Sequence, residues 1–165
     1  MAAIGHPEFG RWRPVIVTVF AALAVVVAAG CGGGPAGEGD VLVIAHGEEV
    51  DLTAHLAAGK HTVFDFYAAW CPPCRKLSPA LERLAARHPD RLAIRKVDIV
   101  DWTMPVAAQH GVVSLPYLML YDDKGVRTAA GDDVFVALQN LFGEAAAEVS
   151  AFAGLSETPE VPSTM

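Results

Sequence analysis

The sequence predicts an α/β domain built on a central mixed β-sheet with helices on both faces. Three observations carry that prediction. Short apolar runs rich in β-branched and aromatic residues alternate with segments of helical period, the order expected of a sheet covered by its own connections. A turn signal, Asp122-Asp123-Lys124-Gly125, joins the last two of those runs as a hairpin and so makes the sheet mixed. The 165 residues are 53% hydrophobic and 19% charged, enough to bury one core.

Each element has its own justification. Val41 to Ala45 is a short apolar run with β-branched residues and reads as a first strand. Asp51 to Leu56 opens one helical turn, which Gly59 ends. Val63-Phe64-Asp65-Phe66-Tyr67 is aromatic and β-branched, hence a central strand, with an acid in its middle. From Pro72 the period becomes helical through Leu77, Leu81, Leu84 and Ala85, until Pro89 stops it. Leu92 to Ile99 is a further strand, and Val106 to His110 a short helix closed by Gly111. Tyr117 to Tyr121 and Val126 to Ala130 are the two arms of the hairpin. Asp132 or Asp133 then caps a last helix through Leu138, Leu141 and Phe142. The order is βαβαβαββα, without an internal repeat.

Charge excludes two classes of partner. The net charge is −7, and removing residues 1–30 makes it −8. A nucleic-acid binder needs a basic face to neutralise phosphates, and docking on anionic lipid needs a polybasic patch. Mean hydropathy is high, at +0.35. One apolar block near the N-terminus and many alanines account for much of it.

That block reads as an export segment over 1–30. Arg11 and Arg13 form a positive start, and Val15 to Ala29 is a run of 15 residues without a charge. The run suits a signal segment better than a spanning helix, which needs about 20 residues. Ala28-Ala29-Gly30-Cys31 resembles the lipobox of bacterial lipoproteins, with Ala28 where Leu is usual, and makes Cys31 a candidate lipidation site. An uncleaved signal-anchor and an ordinary cleaved signal, which would leave Cys31 a free thiol, are the alternatives. All three put the rest of the chain outside the cytoplasm. Residues 31–40 are glycine-rich and read as a flexible tether, residues 41–153 as the folded domain, and 154–165 as a disordered tail.

The other two of the three cysteines form a C-x-x-C pair, Cys71-Pro72-Pro73-Cys74, where a strand hands over to a helix. The thiolate is the reactive species, and a helix N-terminus favours it through unpaired N–H groups and partial positive charge. Cys71, at that end, is therefore the attacking thiol. Cys74, one turn in and less exposed, resolves the mixed disulfide. Pro72 and Pro73 suit the first helical positions but bring no N–H to the Cys71 sulfur, so the Cys74 N–H is the nearest donor. Moderate activation of Cys71 is the expectation. The chemistry needs no cofactor beyond the Cys71–Cys74 dithiol itself.

The residues from Phe64 to Cys74 resemble the active-site segment of thioredoxins, with Pro72 where typical members have Gly. The resemblance extends from Val41 to about Glu148 and implies the thioredoxin-like three-layer α/β/α fold. Asp65 matches a buried acid six residues before the first cysteine, and Lys96 a lysine near it. Pro79 matches a proline within the active-site helix. Ser114-Leu115-Pro116 matches the loop whose cis proline faces the disulfide, and Gly131 a glycine in the third substrate-contacting loop. Cys71 and Pro116 lie 45 residues apart, which leaves no room for the extra strand and helix of cytochrome-maturation thioredoxins, nor for the helical insertion of DsbA-type oxidases. Copper chaperones of the Sco type space their cysteines by three residues, and this chain does not.

The resemblance implies roles. Asp65 with Lys96 manages the Cys74 proton, the alternative being a structural buried pair. Trp70, Pro72, Pro73, Leu115, Pro116 and Gly131 line the substrate-binding rim, Leu115 through its backbone. Core packing is the alternative for Trp70, and packing is favoured over a partner patch for the apolar loop Trp102-Thr103-Met104-Pro105. The six histidines read as surface or loop residues without ligand spacing, and the cysteine pair lacks two further ligands for a closed zinc centre. The expected function is a membrane-tethered extracytoplasmic oxidoreductase that reduces protein disulfides and draws on a transmembrane electron donor. An oxidase or isomerase, and a non-catalytic interaction module, are the alternatives.

Overall fold

The computed structural model describes residues 39–153. The expectations for the export segment 1–30, Cys31, the glycine-rich residues up to 38 and the tail 154–165 lie outside the described residues. No helix among the described residues is long and apolar enough to cross a membrane.

Five strands, β1 (Asp40–His46), β2 (His61–Tyr67), β3 (Leu92–Asp98), β4 (Tyr117–Tyr121) and β5 (Arg127–Ala130), form one sheet in the order β1-β3-β2-β4-β5. β1, β3 and β2 run parallel; β4 pairs antiparallel with β2, and β5 with β4. Four helices accompany them: α1 (Cys74–Arg87), α2 (Pro105–Gln109), α3 (Asp133–Phe142) and α4 (Ala147–Ser150). A 3-10 turn at Leu52–His55 is capped by Asp51, whose side chain accepts from the Thr53 N–H. The expected order of elements and the mixed sheet are both observed.

β2 lies at the centre because its residues are apolar on both faces, and strand alternation divides them. Val63 joins the cluster formed by Leu77, Leu81 and Leu84 of α1 and Val134 and Leu138 of α3. Phe64 and Phe66 join the opposite cluster, with Leu52, Val97, Val106 and Met119. Full burial of each such side chain contributes about 1.5–3 kcal/mol. The same alternation points Asp65 at the α1 face, where Ser78 meets it.

The chain enters the sheet through a polar clamp. Arg95, buried on β3, donates to Asp40 Oδ1 at 2.8 Å and to the His55 carbonyl at 2.9 Å, and Lys60 Nζ reaches Asp40 Oδ2 at 2.8 Å. Burial works against the Asp40 charge, but the bonds from Lys60 and Arg95 outweigh it and hold the carboxyl below its usual range.

Three features depart from the sequence expectation. Neither Asp132 nor Asp133 caps α3 with its side chain, because Asp132 already has helical backbone angles and the turn is closed by Val134 N–H to Gly131 O at 3.2 Å. A 3-10 turn (Gly143–Ala146) and α4 follow α3 and bury Ala146 and Val149 against the α1 cluster. His61 and His88 are part-buried where the sequence reads surface or loop. His61 lies on β2 and His88 closes α1; both pack on Phe142, and the buried His61 Nδ1 and His88 Nε2 have no hydrogen-bond partner among the described residues.

Candidate active site

β2 ends at Tyr67, and the next four residues turn the chain toward α1, with the Cys71 N–H bonded to the Ala68 carbonyl at 3.1 Å. Cys71 and Cys74 are joined as a disulfide. The sequence reading put Pro72 and Pro73 in the first helical positions; regular helix instead begins at Cys74, with Pro73 as its N-cap. The reason lies in hydrogen bonding. The Cys71 carbonyl accepts from Arg75 N–H at 3.3 Å, but the Lys76 N–H goes to the Pro73 carbonyl at 3.1 Å, only three residues back, so the continuous four-residue ladder starts with Leu77 N–H on the Pro73 carbonyl at 3.0 Å. The Cys74 N–H points at Cys71 Sγ at 3.2 Å, the donor that the two prolines leave.

The expected difference in exposure between the cysteines is absent. Cys71 is 0% and Cys74 1% exposed, because the bond between them draws Cys71 into the apolar cluster that includes Ala68 and Leu115. Trp70, beside them, is 46% exposed. Its indole Nε1–H donates to the Val100 carbonyl at 2.6 Å, and its ring meets Trp102 at a centroid distance of 6.1 Å. Trp70 is therefore a half-exposed residue held from behind and not a core residue. Val100 offers that carbonyl from a backbone with φ of 59°, in a tight turn closed by Asp101 N–H to Ile99 O. Trp102 itself is partly buried against the core.

The Leu115–Pro116 bond is cis. Leu115 is fully buried in the same cluster as the cysteines. Gly131, at φ 61°, donates its N–H to the Leu118 carbonyl at 2.8 Å, which brings it alongside the start of β4.

Behind the disulfide lies a polar set that only part of the sequence reading contained. Asp65 is wholly buried. Its Oδ2 accepts from Ser78 Oγ at 2.6 Å, and its Oδ1 is buried without a hydrogen-bond partner among the described residues. Burial pushes the carboxyl up to about 6, against the Ser78 bond and the Lys96 charge, which favour the carboxylate; the Glu82 charge adds to the rise. Lys96 does not bond Asp65. Its Nζ donates to Glu82 Oε1 at 2.7 Å and lies 4.9 Å from the Tyr67 ring centre, so it acts on Asp65 through charge alone. Burial opposes the Lys96 ammonium, but the bond to Glu82 and the charges of Glu82 and Asp65 outweigh it and raise its pKa. A cleft of about 400 Å³ opens beside this set, lined by Cys74, Ser78, Pro79 and Lys96 among others.

Ser78 and Glu82 were not among the sequence candidates. A signal existed, because Cys74, Ser78 and Glu82 follow at intervals of four and so lie along one side of α1. Nothing in the spacing says which side faces Asp65.

The family model described as Thioredoxin matches residues 44–140. A thioredoxin of Bacillus subtilis (strain 168) is 42% identical over 78 residues, 47% of this chain and 74% of that protein. A thioredoxin of Mycolicibacterium smegmatis is 35% identical over 85 residues, 51% of this chain and 76% of that protein. A thioredoxin-like protein of Fusarium culmorum is 37% identical, and the match spans 61% of its length. Among solved structures, a chain from the crystal structure of a ferredoxin:thioredoxin reductase and thioredoxin f2 complex superposes with a TM-score of 0.50 at 20% identity. The match covers 63% of this chain and 96% of that one, a likeness of fold alone.

Proposed function

This chain belongs to the thioredoxin family and is a thiol-disulfide oxidoreductase, and from that premise we propose that it reduces protein disulfides outside the cytoplasm while tethered to a membrane. The observation that carries the chemistry is the Cys71–Cys74 disulfide at the head of α1, with a buried, unpaired oxygen of Asp65 on the same side of the sheet as that helix.

In the reduced protein, the Cys71 thiolate attacks one sulfur of a substrate disulfide. A mixed disulfide forms through Cys71 Sγ, and one substrate thiolate leaves. Cys74 passes its proton toward Asp65 and attacks Cys71 Sγ. The Cys71–Cys74 bond closes, the second substrate thiol departs, and two electrons have passed to the substrate. Asp65 suits the acceptor role because burial brings its pKa up to about 6, and the nearby Lys96 charge favours the carboxylate that must receive the proton. Trp70, Pro72, Pro73, Leu115, Pro116 and Gly131 form the rim against which an extended substrate segment lies. The charge-free run before Cys31 and the glycines after it support export and tethering. A reductase in that compartment requires electrons from a transmembrane donor.

The test is the reduction potential of the Cys71–Cys74 couple in the full chain, equilibrated with glutathione buffers. A value near about −270 mV, as in thioredoxin, supports reduction of substrates. A value near about −120 mV, as in DsbA, makes the protein an oxidant and overturns the direction proposed.

A further inference from the structure

We propose that Ser78 and Glu82 are positioning residues of the exchange reaction. Ser78 holds the Asp65 carboxyl by Oδ2 so that Oδ1 is the oxygen left to take the Cys74 proton, and Glu82 holds the Lys96 ammonium at the mouth of the cleft. The inference rests on the reading of Asp65 as proton acceptor.

The geometry is specific to this set of side chains. A carboxyl has two oxygens, and at 2.6 Å the Ser78 hydroxyl occupies one of them. The other is buried with no partner among the described residues. Ser78 lies one turn beyond Cys74 on α1, and both line the same cleft with Lys96. Glu82, a further turn along, receives Lys96 Nζ at 2.7 Å. The lysine is therefore committed to a half-exposed carboxylate and not to the buried one.

The two residues act on Asp65 in opposite senses. A donor to Oδ2 favours the carboxylate, so Ser78 keeps burial from pushing the group still higher. Glu82 disfavours a second negative charge nearby and also holds the cation that would stabilise it. The other groups that face Asp65 are Lys96 from β3 and Tyr67, two residues on along β2. β4 presents Leu118, without charge, at the paired position. Arg75 lines the cleft but spends its guanidinium on the Ala69 carbonyl.

The step to measure is the one that uses the Cys74 proton. The reduced full-length protein is mixed with oxidised glutathione, which leaves glutathione on Cys71 and releases one glutathione thiolate. Cys74 then displaces the second glutathione and closes the protein disulfide. Acid quenching and mass measurement give the lifetime of the Cys71–glutathione adduct between pH 5 and 8.5. In the wild type its decay accelerates as Asp65 loses its proton. Ser78→Ala should move that acceleration to higher pH by about one unit, the size expected for loss of a hydrogen bond to a charged group. Ser78→Thr should restore it, and Glu82→Gln should move it to lower pH. Asp65→Asn separates the two levels of the argument. If Asp65→Asn leaves the pH dependence unchanged, the proton-acceptor reading fails and this inference falls with it. If Asp65→Asn flattens the profile while Ser78→Ala and Glu82→Gln leave its midpoint in place, the inference alone is overturned. Glu82 is on the helix surface, so its variant tests the idea even if Ser78→Ala folds poorly.

Discussion

Burial makes Asp65 costly to stability, and its proposed proton-acceptor role draws on the same burial. Its carboxyl titrates at about 6 in the folded chain against 3.8 as the reference value. Between those values the folded state holds a proton that the unfolded state has lost, so stability falls as pH rises through that window. The whole penalty, about 3 kcal/mol by linkage, is in force above pH 7 and vanishes below about pH 3. Asp65→Asn should therefore unfold at higher urea than the wild type at pH 8, with most of that gap gone at pH 4. An equal gap between the two proteins at both pH values would show that Asp65 carries no such cost. Val100 is a second residue out of its ordinary range, a β-branched side chain at φ 59° whose carbonyl anchors Trp70. Val100 anchors the residue before Cys71, and Asp65 is bonded by Ser78, one turn beyond Cys74; strained and buried polar groups are commonly concentrated around such pairs.

Among the elements, α1 bears most on function. It starts at Cys74, places Ser78 and Glu82 behind it at intervals of four, and buries Leu77, Leu81 and Leu84 on the sheet. Pro79 lies inside it without breaking it, leaving the Arg75 carbonyl without the usual N–H from four residues on. The far half of the helix is held down by the start of the domain. A Cβ added at Gly39 would lie 2.7 Å from Ala86 N and 3.0 Å from Ala85, contacts with backbone that no side-chain rotation relieves. Gly39→Ala should therefore lower the unfolding free energy by about 1–3 kcal/mol, as overpacking does. Denaturant titration reads this directly, and an unchanged midpoint would mean that the chain before Asp40 does not need to pass so close to the helix.

At the scale of the molecule, β1 begins at Asp40 and runs parallel to β2, so the chain enters at the end of the sheet opposite the disulfide. The state of Cys31 is open to a direct measurement on the intact protein made in a bacterium. The lipoprotein reading expects a mature chain that begins at Cys31 with acyl mass, and loss of that mass in Cys31→Ser. A chain that keeps residues 1–30 would point to an uncleaved anchor, and a free unmodified Cys31 to an ordinary cleaved signal.

The C-x-x-C spacing, the acid within an apolar strand, and the alternation of strand and helix patterns were legible without coordinates. Each is local, and each departs from what propensity alone would choose. The reading of Asp65 and Lys96 went as far as naming both residues. It could not say that Lys96 bonds Glu82 while Ser78 bonds Asp65, because that depends on how α1 is rotated over β2 and β3. The burial of Cys71 and the packing of His61 and His88 on Phe142 escaped for the same cause: each depends on neighbours distant in the chain. The sequence by itself determined which groups could do the chemistry and on which elements they lie. Only the tertiary structure decided which of them share a hydrogen bond, because a side chain's partner is set by the packing of separate elements and not by spacing along one of them.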